Sequence, residues 1–336
     1  MKQLVFLSFL LIHSLVNAQK AMKVISLKET KRIETVLSAD DMLGRRAFSA
    51  GNEKAAAFIA GEFESIGLEK WKNADSYLQT FPMVKKTNAN NRSMYTFDLT
   101  QAGEQVKLSN VVGIIPGKSK PDEYVIFSGH FDHIGISTRN MQNNDSIFNG
   151  ANDDAAGTTA MIMLAKYFKK LNNNERTLVF AAFNAEEMGG FGATYFSKQF
   201  DPAQVIAMFN IEMIGTESKW GKNSAYITGF EKTNMGEILQ KNLSGTGFEF
   251  HADPYPDQQL FYRSDNATLA RLGVPAHTIS TSKMDSEPNY HKASDEIGTI
   301  DLKNMNEIIK AIALSSRGIV AGTETPTRVD TSSLKR

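Results

Sequence analysis

The chain of 336 residues contains no cysteine, which excludes disulfide bonds and thiolate metal sites. Any bound metal must therefore use nitrogen and oxygen ligands. The chain also has no excess of positive or negative charge, because 37 lysine and arginine residues balance 37 aspartate and glutamate residues. The basic residues do not form a block in the sequence. We therefore expect neither nucleic acid nor an anionic membrane surface as a partner. Internal repeats and low-complexity tracts are lacking as well.

The N-terminal residues have the pattern of a secretory signal peptide. Lys2 precedes the apolar run Leu4–Leu15, and Val16-Asn17-Ala18 provides the small residues of a cleavage site. This run is too short for a membrane-spanning helix, so we expect no membrane span in the mature chain. The pattern predicts a signal peptide at residues 1–18 and export to the periplasm or the extracellular space. We assign residues 19–321 to one catalytic domain and residues 322–336 to a polar, loosely held C-terminal tail.

Apolar runs alternate with amphipathic segments along the rest of the chain. The runs with the character of buried strands are Lys107–Ile115, Glu123–Ser128, Arg176–Phe183, Val205–Ile211 and Pro275–Thr281. The segments with helical periodicity are Leu27–Gly67, Ala155–Lys170, Met235–Leu243, Asn266–Leu272 and Leu302–Val320. This alternation predicts an α/β fold of three layers, in which a mixed, mainly parallel sheet is flanked by helices.

Five side chains that can bind a metal follow these strands closely, namely His130, Asp153, Glu187, Glu212 and His291. In open α/β sheets the active site lies outside the carboxyl ends of the strands, so we expect all five at one rim of the sheet. Two histidines and three carboxylates suit a pair of zinc ions. The sequence therefore predicts two Zn²⁺ per chain and hydrolysis by metal-activated water, whose pKa zinc lowers from about 16 to about 7.

The residue types also suggest individual roles. A carboxylate can bridge two ions with its two oxygens, and we assign this role to Asp153. The side chains of Glu186 and Glu187 diverge in an extended segment, so one can bind metal while the other serves as general base. Asp132 is positioned to accept the second N–H of the His130 imidazole and to fix its tautomer.

Several neighbouring residues are better explained by structural roles. Asp154 immediately precedes a helix, where it would cap the first turn, and we interpret His133 as a wall residue of the site rather than a ligand. His251 and His277 have no supporting spacing. The sequence leaves two roles open for Asp295, which are to orient the loop of His291 or its histidine and to serve as a plain surface or capping residue. Tyr262, Phe261 and Trp220 are aromatic candidates for a specificity pocket, although ordinary packing also accounts for them.

Four motifs together resemble those of the co-catalytic zinc exopeptidases of the aminopeptidase Y and glutamate carboxypeptidase II family, metallopeptidase family twenty-eight. They are His130-Phe131-Asp132-His133-Ile134-Gly135, Asn152-Asp153-Asp154-Ala155-Ala156-Gly157, Ala185-Glu186-Glu187-Met188-Gly189 and Tyr290-His291. The likeness runs from about Asp40 to Ala321 and includes Gly44-Arg45-Arg46 and Ser264-Asp265. It implies a zinc-exopeptidase-like fold.

The resemblance also implies a role for each site residue. His130 and Glu212 would bind one zinc ion, Glu187 and His291 would bind the other, and Asp153 would bridge the pair. Glu186 would be the general base. The family more often has aspartate at the position of Glu212, whose extra methylene shifts the geometry of that ligand.

We therefore expect an exported aminopeptidase that acts on peptide substrates. The alternatives are an acyltransferase of the glutaminyl cyclase kind with one zinc ion, against which His130 argues, and a non-catalytic binding module on the same fold, which would have lost its ligands. The side-chain specificity, the preference for either end of the peptide and the oligomeric state are open at this stage.

Overall fold

A computed structural model describes residues 22–88, 90, 92–138 and 141–334 of the chain. The signal peptide predicted at residues 1–18 lies outside these residues. Twelve strands are present in the described part, in chain order β1 Glu69–Lys70, β2 Leu78–Thr87, β3 Ser93–Thr96, β4 Glu104–Ile115, β5 Lys120–His130, β6 Gly135–Ile136, β7 Ile147–Phe148, β8 Arg176–Phe183, β9 Val205–Ile211, β10 Ser224–Ile227, β11 Glu249–Ala252 and β12 Ala276–Ser280.

Ten of these strands form one mixed sheet in the order β11-β10-β12-β9-β5-β8-β4-β2-β3, with β1 also paired to β4. The four central strands β12, β9, β5 and β8 run parallel to one another. The pairs β8–β4, β4–β2, β2–β3, β4–β1 and β12–β10 are antiparallel. The predicted α/β sheet, mixed and parallel in its centre, is thereby confirmed.

The helices of the described part are α1 Leu27–Leu37, α2 Ala50–Ile66, α3 Ala156–Leu171, α4 Phe191–Ser197, α5 Met235–Asn242, α6 Asn266–Ala270, α7 Leu302–Ser315 and α8 Arg317–Val320. The segment predicted as helical from Leu27 to Gly67 is interrupted by a 3₁₀ turn at Asp40–Arg45. The interruption has a local cause, because Leu43 and Gly44 in this turn have left-handed backbone, with φ of 52° and 63°. Ser49 then begins α2 by accepting a hydrogen bond from the backbone N–H of Asn52.

Two hydrophobic clusters cover the two faces of the sheet. On one face the apolar sides of α1, α2, α3, α5 and α7 pack on side chains such as Phe127, Phe180 and Phe209. On the other face α4 and α6 pack on Ile126, Val179 and neighbouring residues. Strand β8 is buried along its whole length, as a central strand covered on both faces must be. Among the described residues, no helix is both long and apolar enough to cross a membrane.

The polar C-terminal segment is held against the domain, whereas the sequence led us to expect a loose tail. The guanidinium of Arg328 donates hydrogen bonds to the carbonyls of Val205 and Pro202. The N–H of Val329, a buried residue, donates to the carbonyl of Gly273. These hydrogen bonds to backbone carbonyls fix the described part of the segment beside the start of β9 and the residues that precede β12. The polar composition of the segment did not reveal them.

Candidate metal centre

The carboxyl ends of the parallel strands bring the predicted site residues together. His130 is the last residue of β5 and lies opposite Phe183, the last residue of β8. Glu212 directly follows β9, whose Ile211 pairs with Ile279 near the end of β12. All five predicted ligands lie at this rim, as expected for an open α/β sheet.

The first group of ligand atoms contains His130, Asp153 and Glu212, all three buried. One ligand atom from each lies within 4.8 Å of the other two. The Nε2 atom of His130 is 3.2 Å from Oδ1 of Asp153.

The second group contains Glu187, the other oxygen of Asp153 and two imidazoles. Nε2 of His291 is 3.2 Å from Oδ2 of Asp153 and 3.2 Å from Oε2 of Glu187. Nδ1 of His133 is 2.8 Å from Oε1 of Glu187 and 3.8 Å from Oδ2 of Asp153. The sequence interpretation of His133 as a wall residue missed this proximity to two carboxylates.

These atoms have the arrangement of ligands around cations. Buried atoms in the cluster lack a hydrogen-bond partner among the described residues, namely His130 Nε2, both ring nitrogens of His133, Asp153 Oδ2, Glu187 Oε1 and Glu212 Oε2. Buried polar groups are normally paired, so six unpaired atoms in one place need an explanation. Ligands about 2.0–2.2 Å from a tetrahedral zinc ion are separated by about 3.3–3.6 Å, close to the nitrogen–oxygen distances found here. The donor set therefore fits a pair of zinc ions.

Asp132 supports His130 in a different way from the one predicted. Its backbone carbonyl lies 3.1 Å from Nδ1 of His130 and accepts the imidazole N–H in the tautomer that leaves Nε2 free. The carboxylate is 3.8 Å from the same nitrogen, which is too far for a hydrogen bond. Instead its Oδ1 accepts a hydrogen bond of 3.0 Å from the N–H of Glu186. Asp132 thus connects His130 to Glu186.

Two further aspartates fix the loop that carries Asp153. The carboxylate of Asp154 accepts hydrogen bonds from the N–H groups of Gly157 and Met213, which supports its interpretation as a capping residue. Asp295 accepts from the N–H of Asn152 at 2.9 Å and from the N–H of Asp153 at 3.0 Å. Asp295 therefore orients the Asp153 loop, whereas the sequence had left open only the loop of His291 or a capping role.

Arg45 is a functional neighbour to which the sequence gave no role beyond the resemblance. Its buried guanidinium donates to the carbonyls of Phe131, Asn149, Gly150 and Leu37 at 2.5–2.9 Å. Three of these carbonyls belong to the segments that carry the ligands, since Phe131 follows His130 while Asn149 and Gly150 precede Asp153. Arg45 consequently ties both segments to the turn between α1 and α2.

Burial and mutual repulsion shift the pKa values of the acids in this cluster. Burial raises the pKa of Glu212 to about 7, although the nearby His130 acts in the opposite direction. Burial and the carboxylates of Glu212 and Glu187 also raise the pKa of Glu186 well above its ordinary value. Burial alone would lower the pKa of His291, but the carboxylates of Asp153 and Glu187 raise it to about 10. Cations among these carboxylates would stabilise their charged forms.

A cavity of about 600 Å³ opens beside Glu186 and is lined by Tyr262, Arg263, Asp265 and residues of α4 and α6. Of the three aromatic candidates, Tyr262 therefore borders this cavity. Phe261 is buried against His277, and Trp220 stacks on His251 with ring centroids 3.9 Å apart. The His277 nitrogens face Thr233 Oγ1 and the Thr228 carbonyl at 2.8 Å, in agreement with a structural role.

Known proteins resemble the chain in sequence and in fold. A probable leucine aminopeptidase of Trichophyton verrucosum is 28% identical over 216 residues, which cover 61% of this chain and 56% of that relative. The chain therefore spans only about half the length of this curated relative. A zinc aminopeptidase from Bacillus subtilis superposes with a TM-score of 0.67 at 15% identity, covering 89% of this chain and 97% of that one.

The fold is shared with a further enzyme class. A glutaminyl cyclase from Porphyromonas gingivalis superposes with a TM-score of 0.64 at 13% identity, covering 88% of this chain and 99% of that one. At this identity the likeness concerns the fold only. The family model of peptidase family M28 matches residues 110–315, a range that contains all five predicted ligands and Glu186. With more than half of its length matched by that model, the chain belongs to peptidase family M28.

Proposed function

We propose that the chain is a di-zinc exopeptidase that removes the N-terminal residue from peptides. The observation that carries this proposal is the sharing of Asp153 by two ligand groups beside Glu186. His130 and Glu212 complete one group, while Glu187 and His291 complete the other. The membership in family M28 and the similarity to aminopeptidases support the same reaction.

The zinc ions, when bound, would polarise the scissile carbonyl and lower the pKa of water. The chain's own residues would position the substrate and move the protons. The cavity beside Glu186 would receive the peptide, and the Glu186 carboxylate would take a proton from the attacking water. In the chain without metal, burial and the neighbouring carboxylates hold the pKa of Glu186 well above its ordinary value. Bound zinc ions would lower this pKa and favour the ionised form that accepts a proton. Glu186 would then give the proton to the leaving amine, so that one water is added across the peptide bond.

Asp132 would keep this base in place. Its carboxylate accepts the N–H of Glu186 and its carbonyl faces the His130 imidazole, so one residue fixes both the base and a ligand. We further propose export through a signal peptide at residues 1–18, to the periplasm or the extracellular space.

The test is the variant Glu186→Gln. Turnover of aminoacyl reporter substrates should fall by about 10²–10⁴, the usual scale for loss of a general base, while zinc content stays near two per chain. Glu307→Gln, at an exposed position of α7, is the matched control and should keep full activity. Unchanged turnover in Glu186→Gln would exclude Glu186 as the base, and loss of zinc would identify it as a ligand instead.

Substrate profiling tests the N-terminal preference. An aminopeptidase should cleave peptides with a free α-amine, fail to cleave their N-acetylated analogues, and lose activity in the presence of a chelator. Cleavage of the acetylated peptides at the C-terminal bond would point to a carboxypeptidase.

A single-zinc cyclase is the second candidate, favoured by the match to almost the whole length of the glutaminyl cyclase fold. It predicts one ion per chain and release of ammonia from N-terminal glutamine. His130 argues against it, because this buried imidazole faces Asp153 on the side away from Glu187 and His291.

A further inference from the structure

His133 lies three residues beyond the end of β5, and its imidazole is fully buried between two acids. None of the His133 side chain is exposed to solvent. Its Nδ1 atom is 2.8 Å from Oε1 of Glu187 and 3.8 Å from Oδ2 of Asp153. Nδ1 of His133 therefore lies near the carboxylates of Glu187 and Asp153, and Nε2 of His291 contacts the same two carboxylates.

The contact between His133 and Glu187 is close but is not a hydrogen bond. Both His133 nitrogens and Oε1 of Glu187 are without hydrogen-bond partners among the residues that the structure describes. At a separation of 2.8 Å this means that the ring N–H is not directed at the oxygen. The two atoms lie side by side, as two ligands of one cation do. Without a ligand at these nitrogens, the buried imidazole would destabilise the folded chain, because buried polar groups are normally paired.

The surrounding backbone holds the ring in this position. The N–H of His133 donates to the carbonyl of Arg45 at 3.4 Å. Gly150 packs directly on the ring, since a Cβ atom at this position would lie 2.6 Å from Cγ and Cδ2 of His133. The rings of His133 and His291 are 5.8 Å apart between centroids, and they contact different oxygens of the Glu187 carboxylate. The absence of a side chain at Gly150 thus leaves space for the His133 imidazole, and the close packing of Gly150 restricts the rotation of the ring.

We propose that His133 is a fourth protein ligand of the second metal ion, through Nδ1. This inference rests on the proposed metal pair and deepens it. The second ion would have two imidazoles and two carboxylates, from His133, His291, Asp153 and Glu187. The first ion would have only His130, Asp153 and Glu212. Because it has more ligands, the second position binds zinc more tightly and fills first.

The alternative is that His133 only orients the Glu187 carboxylate. Residues that orient ligands typically contribute about 10–100-fold to metal affinity, so a direct ligand should contribute more than about 100-fold. An orienting residue would also leave the number of imidazoles on the ion unchanged. Affinity and imidazole count together therefore distinguish the two roles.

The experiment uses the full chain, stripped of metal and reloaded with one equivalent of Zn²⁺. At this loading the zinc occupies the second position, and X-ray absorption at the zinc edge should show two imidazoles on it in the wild-type protein. In His133→Gln it should show one, and competition with a chelator should show the dissociation constant of the tighter ion raised by more than about 100-fold. His251→Gln, at a partly exposed histidine that stacks on Trp220, is the matched control and should leave both readouts unchanged.

The wild-type measurement decides the inference even if His133→Gln does not fold. A single imidazole on the zinc bound at one equivalent would overturn it, as would a folded His133→Gln variant whose affinity falls by less than about 100-fold. Uptake of two zinc ions with one imidazole each would remove His133 as a ligand and leave the proposed function intact. Failure of the folded wild-type chain to bind zinc would instead remove the metal centre and the proposed function together.

Discussion

The two carboxylate oxygens of Asp153 face different imidazoles. Oδ1 is directed to His130 and Oδ2 to His291, both at 3.2 Å. The N–H of Asp153 is held by Asp295, so the position of the carboxylate is fixed from behind by a hydrogen bond of 3.0 Å. A residue held between two ligand groups in this way links the occupancy of both, whereas Glu212 lies in one group only.

This difference predicts that two conservative substitutions lower the number of bound zinc ions to different extents. Asp153→Asn removes one negative charge from both groups and should lower zinc binding at both positions, giving well under one ion per chain at limiting metal. Glu212→Gln changes one group only and should leave about one tightly bound ion. Metal analysis after dialysis, with unfolding curves to confirm the fold, measures both. Retention of one full ion by Asp153→Asn would contradict a bridging role.

Residue types and spacing predicted five acids and histidines that meet at the rim, but they did not show the contacts of His133 there or how each atom is used. Asp132 was correctly placed beside His130, yet its carbonyl rather than its carboxylate faces the ring. The side-chain position of His133 depends on the path of the backbone after β5, and that of Arg45 depends on the turn at Asp40–Arg45. Such irregular backbone has no periodicity in the sequence, so side-chain directions there could not be predicted.

At the scale of elements, the start of α3 is packed directly against the end of β9. A Cβ atom at Gly157 would lie 2.0 Å from the carbonyl oxygen of Ile211, one residue before Glu212. The same atom would lie 2.4 Å from the Asp154 carboxylate, which bonds to the N–H of Gly157. The helix can approach the strand this closely only with glycine at this position.

Gly157→Ala should therefore destabilise the protein and weaken zinc binding, since the helix must move away from the strand end that carries Glu212. We expect a loss of about 1–3 kcal/mol, the usual cost of overpacking. Gly61→Ala is the matched control, because Gly61 lies inside α2 with nothing within 4 Å of an added Cβ. This second change should stabilise the protein by about 0.5–1 kcal/mol through helix propensity. Denaturant unfolding of both variants gives the comparison, and equal effects would contradict the packing argument.

The elements that the sequence predicted best are the buried strands. The bounds predicted for β8 and β9 agree with the structure residue for residue, because long apolar runs next to polar turns leave little freedom. Short elements with weak patterns were missed, among them β3, β11 and the helix α4 that follows the glycines at 189 and 190. Their position is fixed by neighbours across the sheet or by packing, which local sequence does not encode.

For the whole molecule, a balanced net charge conceals a strong local imbalance. The chain has zero formal charge, yet carboxylates concentrate at one rim of the sheet. Burial raises the pKa of Glu212 to about 7 and that of Asp265 to about 8, against ordinary values of 4.5 and 3.8. Without cations, each acid binds a proton more readily in the folded chain than in the unfolded chain. Their contribution to stability is therefore present below the ordinary pKa and is lost as the pH rises through 7 and 8.

Removal of metal should consequently lower the unfolding temperature, and more so at pH 8 than at pH 6. At a zinc concentration about 1,000-fold above the dissociation constant, binding stabilises the folded state by about 4 kcal/mol, which for a chain of this size corresponds to roughly 6 °C. Thermal unfolding with chelator, with zinc restored, and with magnesium restored measures the effect. Zinc should recover the lost stability and magnesium should not, because histidine nitrogen is a poor ligand for magnesium. Asp153→Asn should show little response to either treatment, and an unfolding temperature independent of chelator in the wild-type chain would contradict a cation-stabilised rim.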